Sequence, residues 1–306
     1  ARTWGTYKII IDSNGLNYQG DADTFTVEYD TDGETLNIVY ADATKGWIPL
    51  NDDDVTDAPT APQTQKAIIA FGSGGPTNVS NLVTSAGVVG SDVSGVGTGR
   101  EDLGAATYDL DKAIFVFGHD GSNYVSLSNL VNNSGVVAAD VTGVGTARSG
   151  LSSAEYGVDK AIFAYGTTGS AVNMSNLVNN SGVVATDVTG VGTARMYLGA
   201  SRYGLDKAIF GYGLAGSAVS ITNLVTNVGV VGTDVSGVGT ARRNISATGF
   251  GSTGQAIFAF AYTGSVFTSL SNIVSNTGVV ASDVAGTSGA KTNRSATNYG
   301  GDKAIF

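Results

Sequence analysis

The sequence predicts an all-β protein: a five-bladed β-propeller built from repeats of about 47 residues, preceded by a small β-rich module. Three observations carry this. An apolar phrase, "KAIF" or a close variant, starts at Lys66, Lys112, Lys160, Lys207, Gln255 and Lys303, in steps of 46 to 48 residues. Each period holds four short β-prone runs separated by Gly-rich turns. The chain of 306 residues has 44 Gly but only 4 Pro, and no amphipathic run is long enough for a helical repeat.

Within one repeat, residues 148–193, the first run is "LSSAEYG", rich in small residues. The second, "DKAIFAYG", is continuously apolar, as expected of a strand covered on both faces. "VNMSNLVN" alternates roughly and is the third run; "GVVATDVT" is the fourth. Four strands in this length make one propeller blade. The Arg-led layout of each period resembles the kelch repeat, which implies the same architecture. The double Gly and late Trp of kelch repeats are absent, so no kelch function is implied.

Five full periods run from Lys66 to Asp302, which makes five blades the simplest ring. The first blade begins at its second strand, and the tail "RSATNYG" (294–300) is expected to supply the missing one, so that no sheet edge stays open. Residues 303–306 then duplicate Lys66–Ile69, and a ring of five has room for only one copy. The other copy is expected to lie outside the ring or to be poorly paired; two copies in equivalent strands of separate blades would mean six positions, and a chain that continues past Phe306 is the third alternative.

Residues 1–50 do not share the repeat. "GTYKIIID" (5–12), "DTFTVEYD" (23–30) and "TLNIVYAD" (35–42) read as strands, and both Trp residues, Trp4 and Trp47, lie in this segment. So short a module buries little surface alone, and a partner chain is expected to help. Residues 51–65, "NDDDVTDAPTAPQTQ", read as a linker. The phrase "VYADATKGW" (39–47) resembles the stem modules of bacteriophage tail-fibre and related virion proteins, and the "DKAIFGYG…SNLVNNSGVV…GVGTAR" repeats resemble those of phage structural proteins. The resemblance implies a virion appendage at the particle surface: an attachment stem, trimeric by expectation and joined to other virion proteins, that carries a propeller head.

The net charge of −10 argues against nucleic-acid binding, which needs a basic face. There is no Cys, hence no disulfide or thiolate zinc site, and no 18-residue apolar run. No secretory leader is evident; the start at Ala1 rather than Met is expected of a processed or partial chain. The "GVGTAR" loops lack the Lys-Ser/Thr of a phosphate loop, and "NDDDVTD" lacks the spaced Gly and terminal Glu of a calcium loop. No cofactor or metal is expected.

Two sets of polar residues recur once per repeat: Arg100, Arg148, Arg195, Arg242 and Arg294, and Asp92, Asp140, Asp187, Asp234 and Asp283. One copy per blade suits a hydrogen-bond and ion-pair girdle between blades. The Asn of "SNLV", "TNLV" or "SNIV" recurs at Asn81, Asn129, Asn176, Asn223 and Asn272 and reads as turn or strand-edge chemistry. The loops that follow the second strand vary most between repeats, and His119, Asp120, Tyr124, Tyr262 and Phe267 within them are the candidate ligand contacts. Their aromatic faces suit stacking on a sugar ring. His119, the one His, has no nucleophile elbow near it in sequence. The expected function is therefore non-enzymatic: a virion structural protein whose head binds host surface glycans or decorates the particle. The alternatives are a propeller glycosidase, which would need a facing carboxylate pair, and a filament or collar subunit.

Overall fold

The computed structural model describes residues 8–22, 26–30, 36–49, 67–72, 74–84, 86–291, 295–299 and 302–306, and every regular element within them is a strand. The chain divides into two compact units, residues 1–65 and 66–306.

In the first unit, β1 (Ile9–Ile11) pairs antiparallel with β2 (Val27–Tyr29), and β3 (Ile38–Asp42) with β4 (Gly46–Pro49). The first three lie within the runs expected from sequence; β4 was not anticipated as a strand. The "DATKGW" phrase makes it one. Asp42 Oδ1 accepts the amides of Thr44 and Lys45 at 2.8 and 2.7 Å, which folds the chain back. Gly46 then has φ +68°, and a Cβ there would lie 1.6 Å from the Asn17 carbonyl oxygen, so only glycine fits. This close approach lets the Trp47 amide donate to that same carbonyl at 2.9 Å. The Trp47 ring meets Tyr40 edge-on at 5.5 Å, and the buried Tyr18 and Tyr29 hydroxyls share a 2.6 Å hydrogen bond. Trp4 and the 51–65 linker lie outside the described residues.

The second unit is a succession of small antiparallel sheets, one per period. The first holds β5 (Ala67–Gly72) and β6 (Thr77–Val83). Four three-stranded sheets follow. They are β7 (Gly104–Tyr108), β8 (Lys112–Val116) and β9 (Ser128–Val131); β10 (Ser152–Tyr156), β11 (Lys160–Ala164) and β12 (Ser175–Val178); then β13 (Gly199–Tyr203), β14 (Lys207–Gly211) and, past the minor hairpin β15 (Leu214–Ala215) and β16 (Ser217–Ala218), β17 (Thr222–Val225); and last β18 (Ser246–Phe250), β19 (Gln255–Tyr262) and β20 (Phe267–Val274). The unit ends with β21 (Thr297–Tyr299) paired to β22 (Lys303–Ile305).

The first two strands of a repeat join through a three-residue turn whose first two residues are left-handed: Gly157 and Val158 at φ 58° and 75°, Gly204 and Leu205 at 58° and 70°. The second strand is buried on both faces, as its continuous apolar run predicts. Ile162 and Ala164 point into a core shared with Phe210 and Leu198 of the next repeat, whereas Ala161 and Phe163 pack on Val116 and Phe117 of the one before. Each core layer thus lies between neighbouring sheets.

The fourth run differs from expectation. It touches the third strand only at isolated points, Val178 with Val184 and Ser175 with Val188 in one repeat, and the other repeats are alike. The cause is the repeated Asn. Its buried side chain reaches into the ladder, so that Asn176 Nδ2 donates to the Ala185 carbonyl at 3.0 Å and to Asp187 at 2.9 Å. A side chain occupies what a backbone amide would otherwise take.

The tail also departs from expectation. β21 pairs with β22, not with β5, so the strand expected to close a ring of five is used elsewhere. Both copies of the phrase therefore occupy strands of separate sheets, β5 and β22, in the first and last of the six sheets that follow the repeat, the β15–β16 hairpin aside, among the described residues. Phe306 packs edge-on against Phe260 at 5.6 Å, as Phe258 does on Tyr212 and Phe115 on Phe71. In the first sheet Ile69, which has the place of Phe115, is 55% exposed.

Candidate functional site

Two layers of residues, two positions apart in sequence, organise each junction between repeats. The first is built on the recurrent Arg. Arg100, Arg148, Arg195 and Arg242 are fully buried; Arg294 lies outside the described residues. Arg148 lies with its guanidinium 4.0 Å from the Phe117 ring of the preceding repeat. It donates from Nε to the Tyr165 carbonyl at 2.9 Å and from Nη2 to Asn176 Oδ1 at 2.7 Å, both in its own repeat. Arg195 repeats this on Tyr165, Tyr212 and Asn223. Arg100 and Arg242 likewise donate to Asn129 and Asn272.

Thr at two positions before each Arg completes the clamp. Thr146 gives its amide and hydroxyl to Asp187 at 3.0 and 2.6 Å; Thr193 serves Asp234, Thr240 serves Asp283 and Thr98 serves Asp140 in the same way. The Gly before it is forced: Gly145 has φ +83°, and a Cβ would meet Asp187 Oδ1 at 2.5 Å. The "GVGTAR" loop is thus a strap seated on the next repeat. Burial alone would raise the Asp283 pKa, but the Thr240 and Asn272 hydrogen bonds, with Arg242 behind them, outweigh it and bring it down to about 2. Burial brings Arg148 down to about 10 against the opposing pull of Asp187, so it remains a cation at neutral pH. Asp92 accepts from Asn81 at 2.8 Å. The structure therefore places the four described Arg, and Asp140, Asp187, Asp234 and Asp283, in junctions, engaged with their own framework, whereas Asp92 is exposed and bonded within its own repeat.

The second layer lies two residues after each Arg: Asp102, Gly150, Tyr197 and Asn244. All four are left-handed, with φ between 51° and 60°. They are linked backbone to backbone: Gly150 donates to Asp102 at 2.9 Å, Tyr197 to Gly150 and Asn244 to Tyr197 at 2.8 Å. The residues that follow, Leu103, Leu151, Leu198 and Ile245, turn inward, and the eight together line one pocket of about 150 Å³. Four successive repeats thus reach a single pocket. Their first strands lie alongside one another, with Glu155 accepting from Thr107 at 3.0 Å and from Arg202 at 2.8 Å in the repeats on either side.

The loops singled out from sequence pair with the residue next to the recurrent Arg, one position before the pocket lining. His119 exchanges two 2.9 Å backbone hydrogen bonds with Glu101, and its ring meets Tyr124 edge-on at 5.3 Å. Asp120 accepts the amides of Asn123 and Ser122, which lower its pKa and fix the loop. Tyr262 exchanges backbone hydrogen bonds with Arg243, whose guanidinium lies 5.3 Å from the Tyr262 ring, and Tyr262 packs on the exposed Phe267 at 5.3 Å. The structure thus joins His119 with Tyr124 and Tyr262 with Phe267, in separate repeats.

Tyr197, which the sequence reading missed, stands between them. Burial raises its phenol pKa, and Asp102, Tyr124, Arg243 and Glu101 are all close enough to act on it. Burial and the neighbouring Glu101 raise the pKa of Asp102, although its side chain remains open to solvent. The pocket therefore offers an aliphatic floor, one carboxylate, one amide and one phenol. Among the described residues no group of three or more His, Cys, Asp or Glu could hold a metal ion, and no helix is long and apolar enough to cross a membrane. No protein-family model matches this sequence, and a search of curated proteins finds none similar to it.

Proposed function

We propose that residues 66–306 form a propeller-like disc, with the repeats as its blades, that serves as the non-enzymatic binding head of a phage-like virion appendage. The N-terminal module attaches it to other virion proteins, and assembly as a trimer presents several heads at once to a host surface glycan. One observation carries the binding role. Among repeats that share their framework residues, the residues around the axial pocket differ from one repeat to the next, although the floor beneath them stays aliphatic: Glu-Asp-Leu, Ser-Gly-Leu, Met-Tyr-Leu and Arg-Asn-Ile at 101–103, 149–151, 196–198 and 243–245. Packing between repeats asks for sameness, as the Arg and Asp positions display. Variation at the mouth of a pocket, above a floor that stays aliphatic, is what an asymmetric ligand asks for.

Asp102 is the one carboxylate among the pocket-lining residues, whereas a glycosidase mechanism needs two that face each other. The test is a glycan array probed with the full chain, followed by analysis of the arrayed sugars. Retention without shortening of any glycan is the expected result. Release of shortened sugar would move the protein to the hydrolases, and an array without any bound chain would leave the filament or collar role.

A further inference from the structure

The axial pocket, rather than the aromatic loops beside it, has the character of a specificity site. Its volume of about 150 Å³ is well below the 300–1,000 Å³ of sites that enclose drug-sized molecules. It can take one ring or one chain end, not an extended segment. Its floor is aliphatic, from Leu151, Leu198 and Ile245, all largely buried. Its rim is polar, from Asp102, Tyr197 and Asn244. A hexopyranose has the matching two-sided chemistry: C–H groups on a ring face, hydroxyls at the edge. A carboxylate accepts from neighbouring hydroxyls, and a phenol can both donate and accept.

Tyr197 adopts a left-handed backbone at φ 54°, a conformation that disfavours a side chain, where Gly150, its neighbour along the backbone chain of hydrogen bonds, adopts it freely. The Tyr197 ring covers Gly150, with Cε1 3.0 Å from where a Cβ would stand. Tyr197 thus roofs the one rim position that has no side chain.

Charge selects among sugars. Asp102 lines the pocket, and Glu101 beside it in sequence and Arg243, stacked on Tyr262, both lie close enough to act on Tyr197. Two carboxylates against one guanidinium, on a chain of net charge −10, disfavour an anionic ligand. We infer that the axial pocket is a monosaccharide subsite that takes the end of a neutral or amino-sugar chain and rejects uronic and sialic acids, with Tyr197 and Asp102 as its principal contacts. This rests on the glycan-binding reading above and narrows it to one pocket and one class of sugar.

Saturation-transfer NMR on the full chain tests it. The panel is free galactose, N-acetylglucosamine, glucosamine, galacturonic acid and N-acetylneuraminic acid. Transfer to at least one of the first three, and to neither acid, is expected. Tyr197→Ala should weaken that binding about tenfold, the scale of one lost contact, with the thermal midpoint recorded alongside to confirm folding. Asp102→Asn should admit the acids. Equal binding of acids and neutral sugars by the wild-type chain, or an unchanged signal in Tyr197→Ala, overturns the subsite. Silence across the whole panel overturns it as well. Loss of binding in Tyr262→Ala with none in Tyr197→Ala would sink the subsite yet leave the glycan-binding head in place, at the loops.

Discussion

Arg195 and Tyr197 stand two residues apart and serve opposite ends. Arg195 has the same residue as its counterpart in the neighbouring repeats, is fully buried, and spends its donors on the Tyr212 carbonyl, the Thr193 carbonyl and Asn223. Tyr197 has a different residue at every counterpart, is partly exposed, and faces a pocket. The lesson is that in a repeat chain, sameness marks what holds one repeat to the next, and difference marks where the array meets something other than itself. The two layers share a strap, so the framework that fixes Arg195 also aims Tyr197.

The largest expected effect comes from breaking the uniform layer. Arg148→Ala leaves Asn176 and Asp187 without their buried partner and opens a cavity against Phe117; it should cost about 3–5 kcal/mol in urea denaturation. Arg148→Lys should recover little, because an ammonium cannot reach the Tyr165 carbonyl and Asn176 together. Tyr197→Gly, by contrast, should move stability by less than about 1 kcal/mol, since relief of the left-handed strain offsets the lost ring contacts. Equal losses at the two positions would erase the distinction between the layers. Next in size is Gly145→Ala, where the new Cβ meets Asp187; the expected cost is about 2 kcal/mol.

The junction should also respond to acid. The Asp283 pKa is about 2 in the folded chain against an ordinary 3.8, so its contribution is present above the ordinary value and is lost as pH falls from there toward 2. Thermal midpoints at pH 7 and pH 2.5 should therefore lie closer together in Asp283→Asn than in the wild type, with the variant the less stable at pH 7. The smallest effect belongs to a turn outside both layers. Val158→Gly removes a β-branched residue from φ 75° at an exposed position and should stabilise by about 0.5–1 kcal/mol. A loss there would mean that the Val158 side chain has a contact of its own.

Much of this was readable in the sequence because repetition supplies its own comparison. The phase of the repeat, the two-faced second strand and the recurrent Arg and Asp all follow from setting one period beneath another. The fourth run did not follow, because "GVVATDVT" has strand composition, and only the structure shows Asn176 placed across the ladder. β4 was hidden by brevity and by a turn whose glycine is dictated by Asn17, some thirty residues upstream. The tail pairing does not follow from the sequence because an open sheet edge and the aromatic series make opposite demands, and Phe306 gains an aromatic neighbour in Phe260 by continuing the series. Tyr197 is inconspicuous in the sequence beside the longer variable loops. The signal was present at 101–103, 149–151, 196–198 and 243–245, where two changing residues precede a constant aliphatic one.

The sharing of each core layer between neighbours has a consequence for how the molecule comes apart. Ile162 belongs to one layer and Phe163 to the next, so no sheet owns the apolar surface that stabilises it. Loss of one internal repeat strips two layers at once, which couples opening events along the array into a cooperative unit. Amides of β11 should exchange with solvent only through that collective opening, on the slowest timescale in the chain.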